Sequence, residues 1–474
     1  MGRNVMRRRH ASLSGPSARQ SQPRQQPLDI TSIGHVLDDQ SLAETTALLT
    51  DEKQVQHAYE LLQSTSLFIY FVIERHRIFV RRHTGKSPPW TKDGVLRNFR
   101  FTNDFRVLDR GCQFGLTDVI HKGPSDFRSR VFRVLAFSLF VSQKTYSFLE
   151  SRFGSPLLEE NFDLDKWNEA LDDYVADGNK VTTGAYQISA PTVDQVGDPI
   201  YHHRLIRLLA LLLQSKVSEQ IEDCRELCDL HSVLARFPSL TRFLGYQVAL
   251  NLNMIPGLGL AEDWVIIGPG AQRGLQTIFG NGLPPRLHIV ALKWLCENIR
   301  PLSVKAGYPE HDIPTLAPGY PALTPVDVEH ILCEFHKYAK LVDHARYPCR
   351  GSQMPKHRNF PRLDSWPMVT ARQPENKLPC HVAREQQNQQ YTTPHPDDDG
   401  EYWPQHVLEE KGIGSGSHLL RVRWVGYPPN ADTWESAQLL TQSSPDVVRA
   451  FRQRIDQLEA LRLSLISKKA GDPA

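Results

Sequence analysis

The chain has 474 residues, of which 40% are hydrophobic, with 55 basic and 53 acidic side chains and a formal net charge of +2. Length allows two or three domains, and the near-neutral balance excludes a global polyanion-binding surface, so any basic patch is local. Seven cysteines spread along the chain make no disulfide framework and point to a reducing compartment. No apolar run reaches the roughly 20 residues that span a bilayer; Leu205–Leu213 is broken by Arg207, and no apolar core marks a secretory signal, so no membrane partner is expected.

In chain order, residues 1–40 read as a disordered basic tail, with six arginines and no acidic residue before Asp29. Met6-Arg7-Arg8-Arg9-His10 suits nucleic-acid contact or a nuclear address; a transit peptide and a plain flexible tail are the alternatives. Residues 41–342 read as helical. Val55, Tyr59 and Leu62, then Phe68, Val72 and Phe79, predict one long helix or two. Further helices are expected over 128–150, 165–174, 202–217, 219–236, 239–251, 285–299 and 325–342, the last capped by Thr324. Residues 343–398, rich in Pro, Gln, Arg and His, read as a disordered linker.

A compact α+β module is expected over 399–460, followed by a tail at 461–474. Leu420, Val422 and Trp424 alternate with Arg421 and Arg423, the period of a half-buried strand, and an earlier strand is expected over 402–410. Ser444, Pro445 and the spacing of Val447, Val448, Phe451, Ile455 and Leu458 predict a closing helix.

The acidic-aromatic pair Glu401-Tyr402, the strand ending Trp424-Val425-Gly426-Tyr427, the run Thr433-Trp434-Glu435 and the helix after it resemble a chromodomain. The resemblance implies a cage for a methylated lysine of a histone tail, formed by Tyr402, Trp424 and Tyr427, and a nuclear location. Aromatic faces attract a diffuse ammonium through their quadrupole, and the histone tail would add as a strand. Trp434 is expected in the core. Ala431 and Leu439 depart from the family, which often has an acidic residue and an asparagine there.

In the helical region, Asn103, Arg106 and Asp109 share a face if their segment is helical, bringing together an amide, a guanidinium and a carboxylate. A surface ion network is the alternative. Gly268-Pro269-Gly270-Ala271 resembles the hairpin of helix-hairpin-helix proteins, whose backbone N–H groups can face a DNA phosphate.

Five motifs together resemble one family: Glu74–Ile78 (ERHxI), Pro89–Asp93 (PWTxD), Arg100–Asp109 (RFTNxxRxxD), Asp263–Gly274 (DWxxIGPGAxxG) and Val328–Glu334 (VExxLCE). It is the helical domain associated with DNA thymine hypermodification, found with hydroxymethyluridine DNA kinases and in α-glutamyl/putrescinyl thymine pyrophosphorylase-like proteins. The resemblance implies an all-α, helix-hairpin-helix glycosylase-like fold and DNA as ligand or substrate. It further implies Arg75 and Arg106 on phosphate, Asn103 on a base edge, Asp109 or Asp263 as general base, and Gly268 and Gly270 at the DNA backbone. The expected chemistry is group transfer displacing pyrophosphate. Base excision is disfavoured, because no Asp occurs between Gly268 and Arg300. Gly85-Lys86-Ser87 lacks the rest of a P-loop. Cys224, Cys228 and His231 have no fourth partner nearby, so no metal is expected, and no cofactor. The alternative function is a non-catalytic chromatin adaptor, derived from a mobile element.

Overall fold

The computed structural model describes residues 6–7, 52–183, 188–316, 323–342, 401–414, 417–425, 427 and 431–467. The expected linker at 343–398 and, apart from residues 6–7, the expected N-terminal tail lie outside the described residues.

After the short strand β1 (Met6–Arg7), α1 (Glu52–His83) is one helix. A short α2 (Gly94–Asn98), a 3-10 turn at Arg106–Leu108 and α3 (Arg110–Phe114) follow. The helix expected over 128–150 is two, α4 (Phe127–Phe140) and α5 (Gln143–Phe153). Val141 turns left-handed at φ 48°, and the Ser142 hydroxyl accepts from the Thr145 amide to cap α5. Next come α6 (Leu164–Ala176), α7 (Val193–Val196) and α8 (Tyr201–Gln214). The stretch expected as one helix over 219–236 contains the end of α9 (Val217–Glu222) and all of α10 (Leu227–Leu234), and α11 (Arg242–Asn253) follows. Then come α12 (Pro269–Phe279), α13 (His288–Lys305) and α14 (Pro325–Val342). The C-terminal region has β2 (Glu401–Tyr402), β3 (Pro404–Lys411), β4 (Leu419–Trp424) and β5 (Thr433–Ser436), then α15 (Ala437–Ser443) and α16 (Pro445–Ser467). No helix among the described residues is long and apolar enough to cross a membrane.

These elements form two compact units. One comprises residues 52–117 and 262–342. Here α12 lies against α14, and a Cβ on Gly270 or Gly274 would overlap Cys333 or the Leu332 carbonyl. Those glycines lower helix propensity, which is why α12 was not expected from the sequence; close packing on α14 outweighs that cost. Phe68 meets Phe335 edge-on at 5.2 Å. The Asp93 carboxylate accepts from the Val95 and Leu96 amides at 2.7 and 2.9 Å and from the Tyr70 and Tyr338 hydroxyls at 3.2 and 2.7 Å, so the PWTxD motif ties α1, α2 and α14 together.

The other unit joins residues 118–261 to the C-terminal module. Strands β3, β4 and β5 form an antiparallel sheet in that order, and β1 pairs with β2, Met6 opposite Tyr402. Val407, Leu420, Val422, Trp424, Leu440 and Phe451 fill the core between sheet and helix. Trp434, expected in that core, is 36% exposed: it stands opposite Arg421 on the outer side of the sheet, with Lys411 Nζ 3.9 Å from its ring centre. α16 runs beyond the expected module boundary at 460, and the extension is a docking element. Arg462 donates to the Asp194 and Gln195 carbonyls, Arg207 of α8 donates to the Leu465 carbonyl at 2.7 Å, and Gly197 lies against Ile466.

A second tie is Arg423 of β4, 3% exposed, which reaches Asp432 at 2.6 Å, Asp229 of α10 at 2.9 Å and Cys228 Sγ at 3.2 Å. Burial opposes its charge, but Asp432, Cys228 and Asp229 more than compensate and raise its pKa. Arg423→Met should cost about 3–5 kcal/mol, since it strands buried carboxylates; urea unfolding of the full chain measures the loss.

Candidate functional site

The C-terminal module holds the expected cage residues together. The Tyr402 ring centre lies 6.2 Å from that of Trp424 and 5.7 Å from that of Tyr427. Tyr402 and Tyr427 are half-buried, whereas Trp424 is only 5% exposed and its Nε1 donates to Thr433 Oγ1 at 2.9 Å. Trp424 therefore belongs to the module's core as well as to the ring cluster. Leu439 is 55% exposed on α15.

The second site lies in the unit of 52–117 and 262–342, around a segment with little regular structure. Phe101 and Phe105, 3% and 2% exposed, anchor residues 101–105. Phe101 packs edge-on against Phe71 at 5.6 Å. The carbonyls of this segment find their donor in Arg75 of α1. Its Nε donates to the Thr102 carbonyl at 3.0 Å, and its Nη2 to the Phe101 and Thr102 carbonyls and to Asn103 Oδ1. Arg75 is 5% exposed; burial lowers its pKa, and Asp104, Asp109 and Glu334 partly offset this. Arg75, expected on phosphate, is thus taken up by the protein's own backbone.

Asn103 and Asp109 converge, by loop closure rather than on one helical face, and the Arg106 carbonyl accepts from the Asp109 amide at 3.0 Å. The Asn103 amide donates to Asp109 Oδ1 at 2.9 Å, and its side-chain nitrogen donates to the Leu108 carbonyl. The Arg106 amide donates to Asp327 Oδ1. Asp109 Oδ2 lies 2.7 Å from His330 Nε2. Asp263 is exposed, and among the described residues no hydrogen bond or ion pair joins it to this cluster. Gly268 and Gly270, expected to turn amides toward DNA, have other roles. The Gly268 amide is buried and donates to Glu329 Oε1 at 3.0 Å, and Gly270 gives α14 its close approach.

Sequence reasoning missed the buried acids. Asp104 is 3% exposed, and its Oδ2 has no hydrogen-bond partner among the described residues. Burial pushes its carboxyl up to about 8, although Arg75 pulls the other way. Asp327 is raised to about 6 by burial and Glu262, and Glu329 to about 6 by burial. For His330 burial is unfavourable to charge, but Asp109 outweighs it and raises the pKa. The signal was present in two motifs already singled out, at Asp104 and at Glu329. Also missed was a cationic group beside Arg75: Arg82, pushed down to about 10 by burial and then by Arg75 and Arg100, and Arg100, lowered by burial and then by Arg110. Guanidinia that depress one another concentrate positive potential, which favours an anion. An acid that titrates near neutrality can give or take a proton in the working pH range.

All four raised groups take up protons on folding. For Asp104, the folded carboxyl holds its proton up to about 8 while the unfolded one releases it near 4, so its contribution falls as pH rises across that interval. Urea unfolding across pH 4 to 8 should show wild type losing stability relative to Asp104→Asn. Parallel profiles would mean that Asp104 is ionised in the fold.

Comparison with known proteins gives two family matches: "5-hmdU DNA kinase, helical domain" over residues 62–346, and the chromo domain over residues 404–454. A curated relative, a 5-hmdU DNA kinase of Bacillus phage SP10, is 26% identical over 235 residues, covering 44% of this chain and 36% of the relative. The chain thus spans about a third of that relative's length. No solved structure matches. The first match spans more than half of the sequence and contains the buried acid cluster, and the chain belongs to the family of the 5-hmdU DNA kinase helical domain, here joined to a chromo domain.

Proposed function

We propose that this is a nuclear chromatin protein whose C-terminal module binds a methylated lysine of a histone tail, and whose helical region binds DNA and acts on a thymine-derived base. The observation that carries the reading is the presence, on one chain, of the 5-hmdU DNA kinase helical domain and a chromo domain with its three rings clustered. Strand pairing of Met6–Arg7 with Glu401–Tyr402 supports peptide binding by strand addition at that edge. In the helical region, Arg82, Arg100 and Arg110 would hold DNA phosphate, and Asp104 would serve as general acid or base. Asp109 would orient His330, and Arg75 would shape the loop that carries Asp104. A base in a duplex must be extruded to reach such a site. The chemistry that fits is group transfer to an activated pyrimidine.

One observation favours the second reading, a non-catalytic chromatin adaptor: Arg75, Asn103, Asp109 and Gly268 are all engaged in internal contacts. Nucleoside analysis of DNA from cells making the wild type or Asp104→Asn separates the two. A modified pyrimidine lost only in the variant supports the enzyme, and unchanged nucleosides throughout would leave the adaptor.

For the reader, Tyr402→Ala in the full chain should remove the preference for methylated over unmethylated histone peptides while the unfolding midpoint holds. Trp424→Ala should unfold the module, at a cost of about 3–5 kcal/mol. Equal affinity of the wild type for both peptides would rule out the reader. For DNA, Arg110→Ala should lower the slope of log affinity against log salt by about 1 without changing sequence preference; an unchanged slope would place DNA elsewhere.

A further inference from the structure

Within the unit of residues 118–261 and the C-terminal module, α6 and α8 bring together a histidine pair and a carboxylate that neither family match explains. His202 and His203 occupy the first turn of α8 and are 8% and 9% exposed. Successive helical side chains diverge by about 100°, yet both rings turn to one acid. His202 Nε2 lies 2.7 Å from Asp172 Oδ1, and His203 Nε2 lies 3.0 Å from each Asp172 oxygen. The rings stand edge to face, 86° apart with centres 4.9 Å apart. The Asp172 side chain is 48% exposed, so solvent reaches the point where the three groups meet.

The far side of His203 is also built. Its Nδ1 is 3.4 Å from Oδ1 of Asp198, whose side chain is 1% exposed. Asp198 is fixed by the Ile200 amide at 3.0 Å and by Arg207 Nε at 3.3 Å. A buried carboxylate behind a histidine is the usual support of a metal-bound imidazole, because it sets the tautomer and aims the opposite nitrogen. A mere ion pair between α6 and α8 would need one histidine and no acid behind it. Among the described residues this is the one group of three such side chains whose ligand atoms lie close together, all within 4.8 Å.

We propose that His202 Nε2, His203 Nε2 and the Asp172 carboxylate bind a divalent first-row transition-metal ion, with zinc the expected occupant. Two imidazoles and one carboxylate suit zinc and disfavour magnesium and calcium, which prefer all-oxygen shells. Around a tetrahedral zinc with bonds of about 2.0–2.1 Å, neighbouring ligand atoms stand about 3.3 Å apart. The histidine–Asp172 separations of 2.7 to 3.0 Å therefore need to open by only a few tenths of an ångström, and all the ligand atoms lie within 4.8 Å of one another. Three protein ligands leave a position for water or a substrate oxygen, and the exposed side of Asp172 is where it lies. Cys224, Cys228 and His231, where no metal is expected, are not a rival site: Cys228 Sγ meets Arg423, and His231 Nε2 meets the Arg242 carbonyl. The proposal is independent of the function assigned above.

The test uses the full chain, made without a histidine tag, stripped with chelator and titrated with Zn2+ against a chromophoric competitor. One ion should bind per chain, with Mg2+ unable to compete. Asp172→Asn and His203→Gln should each abolish tight binding, and Asp198→Asn should weaken it about 10- to 100-fold. Asp172 is half exposed, so Asp172→Asn should keep the wild-type circular dichroism and unfolding midpoint. Co2+ in place of Zn2+ should give the visible absorption of a four-coordinate site, changed in His203→Gln. Binding no tighter than about 10 µM would overturn the proposal. So would tight binding that survives Asp172→Asn but is lost in Cys228→Ser.

Discussion

The buried grip of Arg75 on the carbonyls of residues 101 and 102 is the constraint on which the helical site depends. A segment that is neither helix nor strand must still satisfy its backbone polar groups when it is buried. One guanidinium, fixed on a long helix, does this for several groups at once. Held in this way, the segment keeps Asp104 inside the protein beside a positive charge and turns Asn103 and Asp109 toward each other. Without the grip the loop would need water, and water would ionise Asp104. The burial of Asp104 and the satisfaction of the backbone are therefore two consequences of one side chain.

The sequence showed a good deal of this, and the reasons for success and failure are physical. The alternation of Leu420, Val422 and Trp424 marked β4, and the Thr324-Pro325-Val326-Asp327 start marked α14, because both patterns express local rules. Thr324 and Asp327 cap the helix reciprocally. The helix α12 was hidden because its glycines answer to a tertiary contact with α14, which no local rule encodes. Trp434 was misplaced because its expected burial rests on the chromodomain resemblance, whereas in this chain it stands opposite Arg421 on the outer side of the sheet. Spacing brought Asn103, Arg106 and Asp109 together for a helical reason, whereas a turn and a distant histidine join them in the structure. Asp104 escaped notice because burial cannot be read from one residue. Asp172 and the His202-His203 pair escaped because their meeting depends on how two helices pack.

The two halves of the molecule use buried charge differently. Around Asp104 burial outweighs the nearby charges, and the carboxyls of Asp104 and Asp327 are raised. Around Arg423 the balance is reversed: four acceptors surround one cation, and the charge is kept. The first arrangement leaves a group ready to exchange a proton. The second exchanges nothing and only fastens β4 to α10. Similar residue types thus give raised carboxyls in one place and an attachment in the other, according to whether burial or the partner charges dominate.

The seating of α16 bears on how the C-terminal module would meet chromatin. With Arg207 on the Leu465 carbonyl, Arg462 on residues 194 and 195, and Ile466 against Gly197, the module and the helices of 118–261 turn as one body. A peptide held at Tyr402 would then point in one direction relative to those helices. The module would thus act as a bracket with a set angle, its direction fixed by contacts with α7 and α8.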